Sequence, residues 1–428
     1  MTSTTHAAYG DPTNQIKQAV GLFTTHMQRN GSMAKLTGKM PKGEAGASET
    51  LRKQTTQHMP IVTAMDLGRG DGDEIEFNLL NPVNAKPIMG SAYAEGRGTN
   101  MSITKDTLRV NQARFPVNLG DAMTGIRSPV DFRKMGRPVA QSLMDRYVDQ
   151  TLMVHMAGAR GFHYNTEWVV PTTADADFPS IMVNRVKAPT KNRHYIADAD
   201  TIKPFTVSGG EIDLATTDVL DIDVVDAIRT TLDQIALPPP IVKFEGDEMA
   251  DDEPIRVLLV SPAQYNAFAK DPTFRNYQTD ALKRASMPGQ HNIFRGSIGM
   301  WNNILIVKQN RPVRFYAGQE IKYCASHTSE TETGVIVPAS FSTTHAVDRA
   351  VLLGGQAIAQ AFAAHNKSGI PFFWSEKELD HGDKVELLIG AIRGVSKIRF
   401  EVDTGDGKEF TDYGCIAIDT AVPLTSAN

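Results

Sequence analysis

Residues 128–159, SPVDFRKMGRPVAQSLMDRYVDQTLMVHMAGA, are the most helical part of the sequence. Pro138 is tolerable in such a helix only with a local kink or a later start. A helix of about 20 to 28 residues is a rod of roughly 30 to 40 Å, which suits a spine better than a compact core. Its apolar residues fall at helical spacings on one broad face: Val139, Leu143, Tyr147, Met144, Val148, Leu152 and Met156.

The residues before this helix predict strands and a ribbon. Glu74–Leu79 and Thr107–Leu119 alternate apolar with polar side chains, as half-buried strands do. Between them, Asn81–Thr104 contains glycines and few large apolar residues. A two-stranded ribbon of this kind is marginally stable alone, so we expect it to lie on another surface.

The residues after the helix predict a mixed α+β architecture with discontinuous pieces. Ser261 and Pro262 are typical of a helix start, as N-cap and first-turn residue. The predicted elements are a helix over Asp221–Ile235 ended by Pro238–Pro240, a strand over Ile255–Val260, a helix from Ser261, a strand over Ile304–Val307, a helix over Val351–Ala364, and two paired strands over Lys384–Ile389 and Val395–Val402.

Residues 1–60 are polar and carry more basic than acidic side chains, with one short helix predicted over Gln15–Met27. Such a segment cannot bury enough apolar surface to fold alone. We expect a mobile tail unless neighbouring chains hold it in place.

Composition excludes several classes of protein. The 428 residues are 41% hydrophobic and 22% charged, as in an average soluble globular protein. The net charge of -5 gives no basic footprint of a dedicated nucleic-acid binder. Two isolated cysteines, no long apolar run and no signal peptide predict assembly in a reducing cytoplasm and no membrane partner.

No motif in the sequence predicts an enzyme, a cofactor or a metal site. Gly68–Gly72 contains Arg69 within an Arg-Gly-Asp tripeptide, but no Lys-Ser/Thr follows at phosphate-loop spacing, which favours a hairpin turn. The eleven histidines form no ligand triad, and Asp403, Asp406 and Glu409 do not match a calcium loop. The segment that contains these three acidic residues is better explained as a hairpin connection.

Taken together, residues from about Ile61 to Ala421 resemble the major capsid proteins of tailed bacteriophages, which have the Hong Kong 97-type fold. The order and spacing of many short strings carry the resemblance. These strings are Asp66-Leu67, Gly72–Phe77, Gly90, Glu95-Gly96, Leu119-Gly120, Arg127, Asp131, Arg133, Leu143, Asp149, Pro189, Asn192–His194, Phe294, Gly296, Gly299, Arg349–Gly354, Gln356-Ala357, Asp380–Gly382, Gly394, Lys397, Phe400, Asp412–Gly414 and Asp419–Ala421.

The resemblance implies an N-terminal arm at residues 1–60, an E-loop ribbon with peripheral-domain strands at residues 61–120, and a spine helix with peripheral domain at residues 121–212. It further implies an axial domain at residues 213–364, with closing strands of the peripheral domain and the C-terminus at residues 365–428. Members of the family assemble as hexamers and pentamers into the icosahedral shell of a virion, around packaged double-stranded DNA. The mildly acidic chain suits weak, non-specific contact with that DNA.

We therefore expect a structural, self-assembling major capsid protein of a bacteriophage head, built in the host bacterial cytoplasm. Portal, scaffolding and decoration proteins are further expected partners. Tyr93, Arg97 and Arg69 are candidate intersubunit contacts, because tyrosine and arginine are favoured at interface hot spots. A cellular nanocompartment shell of the same fold and a soluble α+β enzyme are the alternatives.

Overall fold

The structure is a computed structural model. It describes residues 32–38, 58–67, 72–80, 87–90, 93–98, 103–121, 123, 127, 132–235, 237–244, 255–271, 298–365, 370–403 and 408–424. Most of the predicted N-terminal arm, Arg69 and the helix predicted over Gln15–Met27 lie outside these residues. The arm therefore stays a prediction, as do the domain boundaries.

Strands outnumber helices in the described part of the chain. The helices are α1 (Ser32–Lys35), α2 (Phe132–Ala157), α3 (Phe178–Met182), α4 (Ile222–Gln234) and α5 (Pro262–Ala269), with short 3₁₀ turns at Lys191–Arg193, Ala339–Phe341 and Asp380–Gly382. The strands are β1 (Ile61–Leu67), β2 (Glu74–Leu80), β3 (Ile103–Arg109), β4 (Asn111–Asp121), β5 (His194–Asp198), β6 (Thr201–Pro204), β7 (Val207–Ser208), β8 (Glu211–Ile212), β9 (Arg256–Val260), β10 (Ile298–Trp301), β11 (Ile304–Lys308), β12 (Arg314–Phe315), β13 (Glu320–Cys324), β14 (Glu332–Ile336), β15 (His345–Leu353), β16 (Ile358–Ala363), β17 (Phe372–Leu379), β18 (Lys384–Lys397), β19 (Arg399–Asp403), β20 (Lys408–Asp412) and β21 (Cys415–Pro423).

An eight-stranded sheet, here called the central sheet, is covered on both faces. Its order is β10-β11-β9-β15-β21-β5-β6, with β12 also pairing β15. Along β9, Val257 and Leu259 pack into the core shared with α2, whereas Leu258 and Val260 pack into the core beneath α4 and α5. Burial on both faces explains why this strand is a continuous apolar run without alternation.

A second sheet of five strands, here called the spine sheet, supports α2. Its order is β1-β16-β18-β17, and β4 pairs with β18 as well. Helix α2 packs on β18 and β4, where Tyr147 meets Phe115 edge to face at 5.5 Å between ring centroids. Gly136 lets the helix approach closely, because a Cβ there would lie 2.3 Å from a Leu119 methyl carbon and the leucine side chain would have to move.

Three smaller units complete the fold. Strands β13, β14, β8 and β7 form a four-stranded sheet, and β19 and β20 form a hairpin. Strands β2 and β3 form a two-stranded antiparallel ribbon in which Glu74 is opposite Arg109 and Leu80 is opposite Ile103. Within the described residues this ribbon has no third strand. The sequence places the ribbon at residues 81–104, whereas the paired strands flank that segment, much of which lies outside the described residues, so that prediction stays a prediction.

Several predictions of local structure are confirmed. Helix α2 ends at Ala157 and includes Pro138. Helix α4 begins after Asp221, whose side chain accepts a hydrogen bond from Val224 N. Helix α5 begins after Ser261, which forms a capping box with Gln264. The β19–β20 hairpin is the connection that we expected around Asp406, although residues 404–407 are not described.

The predicted helix over Val351–Ala364 is wrong. This segment is the last three residues of β15, a turn, and β16. A short apolar run buried on both faces cannot be distinguished from a buried helix by periodicity. The run is divided at Gly354, where a Cβ would lie 2.4 Å from Pro240 O.

Two strand predictions also need correction. Lys384–Ile389 and Val395–Val402 do not pair with each other, because β18 is one long strand that pairs with β4, β16 and β17, while β19 pairs with β20. Thr107–Leu119 is divided near Val110 into β3 and β4, which belong to different sheets. Strand β21, in the middle of the central sheet, was not predicted.

Candidate assembly surfaces

The far end of the ribbon is exposed wherever it is described. We call residues 87–90 and 93–98 the ribbon tip. Every one of these residues is exposed, including the apolar side chains of Ile88 and Met89. An uncovered apolar surface on a marginally stable two-stranded unit indicates a surface that another molecule covers.

Two of the three predicted contact residues lie together in the ribbon tip. The Tyr93 side chain is 71% exposed, and its hydroxyl donates a hydrogen bond to the Glu95 carboxylate. Arg97 N donates to Ala94 O (3.2 Å) in a turn that includes Gly96, which has a φ of 78°. A residue with a Cβ would be strained at Gly96, so the glycine fixes the shape of the tip.

A second apolar surface lies on α2 and was missed by the sequence analysis. Phe132, Met135 and Val139 are exposed, and their i, i+3, i+7 spacing places them on one side of the helix. We call these three residues the helix stripe. Val139 was assigned to the buried face, but it is 50% exposed because the face that meets the spine sheet contains Gly136 and Ala140 instead. The sequence contained a signal for this surface, because Phe132 and Met135 continue the helical spacing of Val139 toward the start of the helix.

Several charged residues of the family resemblance form buried ion pairs. Arg349 donates two hydrogen bonds to Asp419, at 2.7 and 2.8 Å. His194 Nε2 lies 2.8 Å from Asp419 Oδ2, the oxygen that also accepts a hydrogen bond from Arg349 Nη2. Arg349 Nη1 also donates to Ala157 O (3.1 Å), so it binds the last carbonyls of α2, where positive charge is favourable.

The environment shifts the pKa values of this buried group strongly. Burial would raise the pKa of the Asp419 carboxyl, but the Arg349 guanidinium and His194 outweigh burial and lower it well below its usual range. Burial lowers the pKa of His194 to about 4, although Asp419 opposes that shift. The group therefore contains a carboxylate and a neutral imidazole at neutral pH. Neither is accessible to a substrate, which indicates a structural role.

A second buried group surrounds Asp412. Arg399 Nε donates to Asp412 Oδ1 (2.7 Å), and Lys397 Nζ donates to Asp412 Oδ2 (3.3 Å). Thr190 N donates to the same carboxylate (3.3 Å). Burial would raise the pKa of Asp412, but the two cations lower it. This group joins β18, β19 and β20 to the turn that precedes β5.

Three carboxylates approach one another among the described residues. Carboxylate oxygens of Asp200, Asp221 and Asp223 lie within 4.8 Å of one another. Asp221 is already the N-cap of α4, and burial, followed by Asp223 and Asp200, raises its pKa. Among the helices that the structure describes, none combines the length and apolar content needed to span a membrane.

Comparisons with known proteins agree with this architecture. The family described as "Phage capsid protein" matches residues 6–424. The solved capsid of Ralstonia phage GP4 is similar over 100% of both chains, with 22% identity and a TM-score of 0.64. The capsid of cyanophage Pam1 is similar over 90% of this chain and 97% of its own, with 11% identity and a TM-score of 0.56.

The acid-stable capsid of Helicobacter pylori bacteriophage KHP30 is also similar, over 90% of this chain and 94% of its own, with 12% identity and a TM-score of 0.55. A comparison with curated proteins found no match. These neighbours confirm the Hong Kong 97-type fold. Since the family match covers nearly the whole sequence, the chain belongs to the phage capsid protein family.

Proposed function

We propose that this chain is the major shell subunit of a tailed-phage head, and that copies bind one another through the ribbon tip and the helix stripe. The observation that carries the proposal is the ribbon tip, which exposes Ile88, Met89 and Tyr93 on a ribbon that no third described strand supports. Identical chains can bury such surfaces in repeated contacts that close by symmetry. Hexamers and pentamers are the expected products.

The ribbon tip and the helix stripe have complementary chemistry. The ribbon tip offers Ile88, Met89 and the ring of Tyr93, and the helix stripe offers an uncovered aromatic ring and two aliphatic side chains. Burial of apolar area contributes about 25 cal/mol per Å², so burying these two surfaces against each other favours association without charge pairing. Arg97 beside the apolar residues supplies a polar rim of the kind found at interfaces.

The proposed role as a shell subunit also indicates the type of shell and the other molecules that the chain would contact. Membership of the phage capsid family supports a phage head over a nanocompartment shell, and supports a structural rather than a catalytic role. The net charge of -5 supports weak contact with packaged double-stranded DNA. Portal, scaffolding and decoration proteins remain proposed partners. Cys324 and Cys415 are both buried free thiols, which suits assembly in the reducing cytoplasm of a bacterium.

Assembly of variants tests the ribbon tip. We expect Tyr93→Ala combined with Met89→Ala to reduce or misdirect shell formation in negative-stain microscopy and sedimentation velocity, with unchanged circular dichroism. Tyr164→Ala is a matched control, because Tyr164 is 76% exposed on another loop. Normal shells from the double variant would contradict the role of the ribbon tip.

Larger deletions test the same proposal more severely. Removing residues 1–31, which leaves the buried Met33 and Leu36 in place, or replacing residues 81–104 by a short turn, should leave the two sheets and α2 folded and should abolish correct shells. Ordering either segment costs about 1 to 2 kcal/mol per residue in backbone entropy, which contacts with neighbours must offset. Normal assembly of both deletion variants would show that these segments are dispensable.

A further inference from the structure

The ribbon joins the body of the protein at Val110, between β3 and β4. Val110 N donates a hydrogen bond to Asp73 O (2.9 Å), which closes the base of the ribbon. Leu108 and Val110 are buried in a small apolar cluster with residues such as Ile398 and Phe400. This cluster fixes the position of the ribbon's base, but a ribbon held at one end can still tilt about that base.

One side chain bonds the base of the ribbon as a neighbouring strand would. Asn184 Oδ1 accepts a hydrogen bond from Arg109 N (3.0 Å), and Asn184 Nδ2 donates to Arg109 O (2.9 Å). The same Nδ2 donates to Val395 O in β18 (3.1 Å). A single carboxamide therefore ties the last residue of the ribbon strand to the spine sheet.

The backbone that presents Asn184 is strained. Val183 has φ 65° and ψ -60°, and Asn184 N donates to Met182 O (2.7 Å) across it. These values define the γ-turn with positive φ at its centre, which is the rare and strained form. A β-branched residue in this conformation is an outlier, and such outliers persist only where the surrounding structure imposes them. Here the surrounding bonds are those of Asn184.

Two further contacts restrict the same junction. A Cβ at Gly394 would lie 1.9 Å from Arg109 O, so β18 approaches the ribbon base as closely as only glycine permits. Lys187 Nζ donates to both oxygens of the Asp106 carboxylate, at 3.0 and 2.9 Å. Residues 183–187 thus bond the ribbon at two positions on β3, Asp106 and Arg109.

We propose that Val183 and Asn184 form a clamp that fixes the direction in which the ribbon leaves the body, and that this direction brings the ribbon tip to its site on a second copy. The inference rests on the proposed role of the ribbon tip. The clamp explains why a strained valine occurs beside an otherwise ordinary loop. It also gives a function to Asn184, which no sequence motif marks.

A distance measurement in full-length, unassembled protein tests the clamp. Because Cys324 and Cys415 are buried, spin labels can be placed selectively on exposed cysteines introduced by Ala94→Cys in the ribbon tip and Lys377→Cys on β17. We expect Asn184→Ala to broaden the distance distribution between the labels. It should also speed amide hydrogen exchange at Arg109 by about tenfold, as loss of one hydrogen bond does.

Two variants serve as controls. Val183→Gly removes the strain and keeps Asn184, so the distance distribution should stay narrow. Asn165→Ala removes a carboxamide that bonds only within its own loop, and it should change neither measurement. Unchanged melting temperature and circular dichroism in Asn184→Ala show that the body remains folded.

The outcomes separate the clamp from the ribbon-tip contact. A narrow distribution and slow exchange in Asn184→Ala would overturn the clamp, even if the Tyr93 variant assembles badly. A broadened distribution with normal shells would overturn the link between ribbon direction and assembly. Broadening together with misshapen shells, and Val183→Gly shells that are normal, would support both parts.

Discussion

The central sheet and the ribbon differ in the burial of their apolar side chains. The central sheet buries apolar residues on both faces and pairs the charges that it buries, as Arg349 and Asp419 show. The ribbon leaves apolar residues such as Met89 and Tyr93 uncovered. The central sheet buries its apolar residues within one chain, whereas the proposed function has neighbouring copies cover the apolar residues of the ribbon. Substitutions in the two regions should therefore affect different properties, stability in the first and assembly in the second.

The largest expected effect is on the buried ion pair. Arg349→Met leaves Asp419 buried without its main cation, and removal of one partner of such a pair costs about 3 to 5 kcal/mol. We expect a loss of this size in the free energy of unfolding, measured by chemical denaturation. Lys203→Met is the control, because the Lys203–Asp213 pair is near the surface and should contribute less than about 1 kcal/mol. Equal losses in both variants would contradict the comparison.

The second largest expected effect is a decrease in the free energy of unfolding at acid pH. The pKa of His194 is about 4 in the folded protein and near 6.5 when unfolded, so the unfolded state binds more protons below pH 6.5. The contribution of His194 to the free energy of unfolding is fully present above that pH. It falls by on the order of 3 kcal/mol as the pH approaches about 4. Below this range, protonation of Asp412 and Asp419, whose pKa values are lowered, decreases the free energy of unfolding further.

Denaturation at several pH values between about 7 and about 4.5 checks this expectation. His155 contributes in the same direction, since burial lowers its pKa to about 3. His194→Gln removes one titrating group and should flatten the curve. An unfolding free energy that is constant over this range would show that His194 is not held neutral.

The smallest expected effect on stability is in the ribbon. Tyr93→Ala should change the free energy of unfolding by less than about 0.5 kcal/mol, because the side chain is mostly exposed. Chemical denaturation of unassembled protein checks this value. A loss of more than about 1 kcal/mol would mean that Tyr93 is supported by its own chain, and it would weaken the contrast between the two regions.

Much of the local structure was predictable because it depends on neighbours in sequence. The cap at Ser261 and the helix after Asp221 follow from side chains that bond backbone within three residues. The first strand of the ribbon, β2, was predictable because Glu74–Leu79 alternates apolar with polar side chains. The candidate contacts Tyr93 and Arg97 fall on the exposed ribbon tip, although their role stays a proposal.

Other features could not be predicted because they depend on residues distant in sequence. The sequence by itself determined the long helix α2, the capped helices and strand β2, since periodicity and capping are local properties. Only the tertiary structure decided that residues 351–353 and 358–363 are strands, because apolar residues buried on both faces lose their periodicity. It also decided that Asn184 meets Arg109 and that Arg349 meets Asp419, contacts across 75 and 70 residues that no local pattern encodes.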